Sequence, residues 1–145
     1  MSHVEQHERR LTTFCVRLKQ HGFRLKRMKK SWSTFDILLN DKVRVEFKTS
    51  KFTKTVTQNG TNENYLRYSC DFNIQRHNIV KEDGCDFYVL DFHPCPFSLS
   101  GLTLIVPKDV IGKKPTVCIT FRSLINKWAR FSNDFGALKD FCERA

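Results

Sequence analysis

The chain has 145 residues, 40% hydrophobic and 12% aromatic, with a formal net charge of +10 at pH 7; that is material for one globular core and too little length for several. No apolar run approaches the roughly 20 residues of a membrane-spanning helix and the amino terminus lacks a signal-peptide core, so the expectation is an intracellular protein of cytoplasm or nucleus with no membrane segment. The charge is uneven: residues 1–30 carry nine Lys/Arg against Glu5 and Glu8, a local balance of +7, which calls for an acidic partner such as nucleic acid.

In chain order, residues 3–21 predict an amphipathic helix, because Val4, Leu11, Cys15 and Leu18 fall in one narrow sector at about 100° per residue, and Gly22 is its natural stop. On that wheel Glu8 falls about 40° from Val4, inside the apolar sector, so it is expected to face inward. The basic connection Lys26 to Lys30 follows, with a strand over Phe23 to Met28. Two apolar runs come next, Phe35 to Leu39 and Val43 to Lys48, joined by Asn40-Asp41-Lys42 as a hairpin. A two-residue link pairs Leu39 with Lys42 and puts Asp36 on the face opposite Glu46 and Lys48. A three-residue link pairs Leu39 with Val43 and puts Asp36 opposite Glu46, on the face of Lys48. The second register is the one expected.

Thr49 to Asn64 is rich in Thr, Lys and Asn around the turn signal Asn59-Gly60, and reads as an exposed excursion. Strands are expected at Tyr65 to Phe72, at Phe87 to Phe92 (an interior strand, apolar but for Asp91), at Leu102 to Val106 and at Val117 to Phe121. The tail from Ser123 reads as helical to about residue 144, broken near Asn133 and Gly136. There is no repeat or linker, so one domain spans 1–145. Cysteines 15, 70, 85, 95, 118 and 142 form no Cys-x-x-Cys pair and read as reduced, mostly buried thiols.

The informative oddity is the set of charges inside the two apolar runs. Asp36 and Glu46 supply hard oxygen ligands for Mg²⁺ or Mn²⁺, and Lys48, two residues on, projects to the side of Glu46, where an ammonium orients a water or stabilises charge on phosphorus. The bland alternative is a cross-strand salt bridge on a solvated face. An inward Glu8 and the apolar context of both strands weigh toward a site.

In the order Glu8, Gly22-Phe23, Asp36 with Ile37-Leu38, then Val45-Glu46-Phe47-Lys48-Thr49-Ser50, the chain resembles the PD-(D/E)XK nuclease superfamily. Within it, the chain looks like the small group I intron-associated and restriction-like endonucleases. Asp86 to Leu90 and Leu104 to Val110 also look like that family's last core strands, while Thr34-Phe35 stands where a proline often precedes the aspartate. The resemblance implies a restriction-endonuclease-like α/β fold, a mixed central sheet flanked by helices. It also implies Mg²⁺-dependent hydrolysis of a nucleic-acid phosphodiester, most readily double-stranded DNA. Asp36 and Glu46 would be metal ligands, Lys48 the group that activates water, and Glu8 a supporting acid. A homodimer would match two-fold DNA sites.

Lys26, Arg27, Lys29, Lys30, Lys51, Lys54 and Arg76 are the candidate nucleic-acid contacts, against the plain reading of solvated loops. His77, Cys85, His93 and Cys95 have ligand chemistry but no zinc spacing. A Gly-x-x-x-x-Gly-Lys loop and a serine nucleophile elbow are absent, which removes the usual grounds for nucleotide-driven work and acyl transfer. The rival to a nuclease is a non-catalytic basic nucleic-acid-binding or assembly module on the same fold.

Overall fold

The computed structural model describes residues 2–28, 35–51, 53–58, 64–73, 84–93, 102–112 and 116–144, and for 53–58 and 64–73 the backbone alone. Helix α1 (His3–Gln20) opens on Ser2, whose hydroxyl accepts the Glu5 N–H. It closes on Gly22 at φ +88°, with Phe23 N–H donating to Leu18 O and Gly22 N–H to Lys19 O, a paired closure that needs the left-handed residue. The apolar stripe predicted on α1 is buried from Leu11 through Phe14, Cys15 and Leu18, but Val4 is 72% exposed, because the first turns of the helix run past the core.

Five strands make the main sheet in the order β1 (Leu25–Arg27), β2 (Ile37–Leu39), β3 (Val43–Ser50), β6 (Phe87–Phe92), β7 (Leu102–Pro107). It is mixed: β3 and β6 are parallel, and the other pairs are antiparallel. The β2–β3 turn combines the two links foreseen from sequence. Lys42 N–H donates to Leu39 O, and Asn40 and Asp41 take φ +49° and +58°, as in a two-residue turn. The ladder nevertheless begins at Leu39 opposite Val43, the three-residue register. Asn40 also locks β1, since its amide oxygen accepts the Arg24 N–H and its own N–H donates to Arg24 O.

The excursion expected over Thr49 to Asn64 is largely sheet. β4 (Thr53–Gln58) pairs antiparallel with β5 (Asn64–Asn73), and β5 with β8 (Thr116–Thr120), as a separate three-stranded sheet. The β-branched Thr53, Thr55, Val56 and Thr57 explain why this polar segment extends. Asn59-Gly60 lies outside the described residues, as do Lys29, Lys30, Arg76, His77 and Cys95.

Alternation on the strands splits the core in two. On one face Ile37, Leu39, Val43, Val45, Phe47, Phe87 and Val89 pack with α1 and with α3 (Phe135–Arg144) through Phe135, Leu138 and Cys142. On the other, Tyr88, Leu90, Phe92, Leu104 and Val106 pack with Ile111 of the short α2 (Lys108–Ile111), Val117 and Ile119 of β8, and Leu124, Trp128 and Phe131. Residues 121–131 are short α, π and 3₁₀ turns where a regular helix was expected, and the break before α3 comes at Asn133 (φ +51°), with Gly136 inside the helix. Cys15, Cys85 and Cys142 are buried free thiols, and Cys118 is exposed. No helix among the described residues is long and apolar enough to cross a membrane.

Helix α1 is fastened to the sheet by charge as well as by apolar packing. Asp91, in the buried interior strand β6, accepts from Arg10 Nε at 2.7 Å and Nη2 at 2.8 Å and from Thr103 Oγ1 at 3.0 Å. The Arg17 guanidinium reaches Thr103 and Asn133 from one helical repeat further on. Removing one partner of so buried a pair strands the other charge. Asp91→Ala is therefore expected to lower the unfolding free energy by about 3 kcal/mol in urea denaturation, whereas Arg24→Ala, whose pair with Asp41 is solvated, should change it by less than about 1 kcal/mol.

Candidate functional site

The site is built around the Phe47 peptide of β3, at the point where its neighbour β2 ends. Phe47 is buried and lies beyond Val45, where the β2 ladder ends, so the backbone groups on that side need partners from elsewhere. The Asp36 carboxylate accepts the Phe47 N–H at 2.8 Å, and His7 of α1 places Nε2 at 3.1 Å from Phe47 O. A carbonyl only accepts, so His7 Nε2 is the donor. The imidazole also meets the Phe47 ring edge-on at 5.6 Å between centroids.

Asp36 reaches this position through a local irregularity. Its N–H donates to Val45 O at 2.9 Å, although Val45 is paired with Ile37. Two residues thus oppose one, a bulge that re-aims the side chain at the strand end. The carboxylate is directed at the Phe47 peptide, where simple extension of the register would have set it beside Glu46. Its charge, with that of Glu8, is felt at Cys15 on α1. Glu46 and Lys48, one residue to either side of Phe47, alternate onto the sheet face away from α1, next to Tyr88 and Leu90 of β6. Asp36 and Glu46 are both buried, at 7% and 6% exposure. Lys48 is half-buried and makes no side-chain hydrogen bond or ion pair with a described residue.

Glu8 corrects the expectation of an inward acid. Its side chain is 54% exposed and pairs with Arg27 of β1; the α1 stripe is buried only from Leu11 onward, and Arg27 offers a cation at the rim. The same pair occupies one of the expected phosphate contacts. Lys26 and Lys51 are exposed, and for Lys54 the backbone in β4 is described. Among the described residues no three of His, Cys, Asp and Glu come together as a metal-holding group. The two buried carboxylates supply the hard oxygens a divalent cation prefers, with Asp36 held on the Phe47 N–H and Glu46 the residue before it, and among the described residues no third acid joins them.

His7 was not foreseen. On the wheel that flagged Glu8, His7 lies about 40° from Leu11 and Glu8 about 60°, so the more central residue was passed over for the more acidic one. Tyr88, beside Glu46 across the parallel ladder, was also missed. Burial raises its phenol well above the ordinary range, with Cys85 and Glu46 adding to the rise. Burial likewise pushes the Cys85 thiol up to about 12, against a hydrogen bond with Tyr88 that lowers it, while Glu46 raises it further. The face beside Glu46 therefore keeps its thiol and phenol protonated at neutral pH.

The fold matches a solved bacterial homing endonuclease, I-Ssp6803I, with a TM-score of 0.55 at 16% identity, over 81% of this chain and 75% of that one. At that identity the likeness is one of fold. No family model matches the chain, and no curated protein sequence matches it either.

Two outcomes test the local geometry. Asp36→Asn keeps an acceptor for the Phe47 N–H and should hold stability, while Asp36→Leu leaves that donor buried and unpaired and should cost about 1–3 kcal/mol in urea denaturation. The unfolded chain releases the Cys85 proton near 9.0 and the folded chain keeps it to about 12. Stability should therefore fall as pH rises through that window, and Cys85→Ala should flatten that part of a pH series of melts.

Proposed function

We propose that the protein is a metal-dependent endonuclease of the PD-(D/E)XK type, hydrolysing phosphodiester bonds of nucleic acid, with double-stranded DNA as substrate. The observation that carries this is a buried Asp36 whose carboxylate accepts the Phe47 N–H next to the buried Glu46, with Lys48 two residues beyond Glu46 and free of any described partner. The fold shared with a homing endonuclease supports it, as does the +10 net charge, which suits a phosphate backbone. Mg²⁺ or Mn²⁺ is the cofactor the chemistry calls for, with Asp36 and Glu46 as its holders, and when bound it supplies charge neutralisation at phosphorus.

The chain's own residues have distinct roles in this scheme. Lys48 presents an ammonium to the scissile phosphate, where it steadies developing negative charge and orients a water. His7 and Asp36 together hold the Phe47 peptide, and so the spacing of Glu46 and Lys48. Glu8, paired with Arg27, supports the rim of the site as a salt bridge and is assigned no further part. A homodimer would present two such sites to a two-fold target.

The second reading, a binding module on the same fold that does not cleave, is favoured by the Asp36 carboxylate being committed to a backbone N–H and by no third acid joining the pair among the described residues. Incubation with duplex, branched and RNA substrates in Mg²⁺ or Mn²⁺ separates the two. Cleavage by the wild type, reduced about 10²- to 10⁴-fold in Lys48→Ala and strongly in Asp36→Asn, is the expected result. Binding without cleavage by all three proteins on every substrate would leave the binding module standing.

A further inference from the structure

We infer that residues 121–131 present a second nucleic-acid-binding surface, built on Arg122, Lys127 and Arg130; this rests on nucleic acid being the substrate. The basic amino-terminal end, where sequence put many of the contacts, spends much of its charge in ion pairs and hydrogen bonds to the chain's own side chains. Arg10 is held by Asp91, Arg24 by Asp41 and Arg27 by Glu8, and Arg17 is packed against Thr103 and Asn133. In the sheet, Arg44 is taken by Asp86. Arg122, Lys127 and Arg130 are exposed and form no ion pair with a described residue.

No acid stands in the sequence from residue 110 to residue 133, against five Lys/Arg at 113, 114, 122, 127 and 130. Nor are two of these cations loose. Lys127 Nζ lies 4.8 Å over the Trp128 ring and Arg130 Cζ 4.7 Å over the Phe131 ring, and both rings are anchored in the core with Leu124. Like charges fixed side by side repel one another, and a polyanion relieves that repulsion by releasing its counterions. From Arg122 to Arg130 the helical turns cover about 12 Å at about 1.5 Å per residue, a length that meets several phosphates spaced roughly 3.4 Å along a strand. Ile125, exposed between Arg122 and Lys127, offers apolar contact to sugar or base.

The test is a salt titration of binding to a labelled DNA duplex and to its RNA counterpart, read by fluorescence anisotropy. The proteins are the wild type, Arg122→Gln/Lys127→Gln/Arg130→Gln, the single Arg122→Glu, which disturbs no ring contact, and Arg9→Gln/Lys19→Gln/Lys139→Gln as a control of equal net charge. The triple variant of the surface is expected to bind at least about tenfold more weakly, with its log–log salt slope shallower by about 0.9 for each phosphate it no longer neutralises. Arg122→Glu should move the same way, and the control should lose far less. Affinity and slope equal to the control's in both variants would overturn the proposal, and if DNA is still cleaved the nuclease assignment survives it. A wild type that binds neither DNA nor RNA would overturn both together.

Discussion

Where β2 stops, β3 carries on with the backbone of Phe47 buried, paired with Val89 of β6 on one side and with no β2 residue on the other. An unpaired buried N–H or C=O costs about 1–3 kcal/mol, so this point of the sheet requires two polar groups from elsewhere. Asp36 and His7 supply them, one from the strand end and one from α1. The requirement explains why a carboxylate and an imidazole sit against an otherwise apolar strand, and why they do so beside Glu46 and Lys48. A chemical site at this place inherits a rigid floor, because the peptide between its two charged residues is gripped at both ends.

Helix α1 can deliver His7 only if its own position is fixed, and the Arg10–Asp91 pair does that about one turn further along. Asp91 on β6 and Phe47 on β3 lie under the same helix, so one buried ion pair and one imidazole hydrogen bond set the tilt of α1 across both strands. Buried ion pairs add little net stability, but they penalise misplacement heavily. The arrangement is thus better suited to registering α1 on the sheet than to strengthening the core.

How far the sequence disclosed this follows from which forces are local. The strands from Phe87 to Phe92 and Leu102 onward were legible because they are buried on both faces and therefore apolar throughout. The β2–β3 register was legible because a one-residue slip would have turned Val43, Val45 and Phe47 out of the core. Strand β4 was hidden, although Asn59-Gly60 signalled a hairpin turn and Tyr65 to Phe72 a strand, because polar β-branched residues look alike in a loop and in a strand. Glu8 was misjudged because a helical wheel records angle and not where along the helix the core begins. The bulge at Asp36 had no signal at all, since it depends on where the β2 ladder ends.

That bulge bears most directly on function, because it couples Asp36 to the fold. If Asp36 is the ligand proposed above, its loss would cost stability as well as activity, because the same carboxylate completes the sheet at Phe47. The converse also holds. A group that must draw Asp36 toward Glu46 works against the Phe47 hydrogen bond, and His7, on the other end of the same peptide, limits how far Phe47 can follow. Charged-group hydrogen bonds of this kind contribute about 1.5–3 kcal/mol, comparable with what one ligand contact has to overcome. In the proposed metal-dependent reading, Asp36 as a ligand would compete with Asp36 as a strand partner of Phe47, while His7 of α1 holds the carbonyl of that same residue.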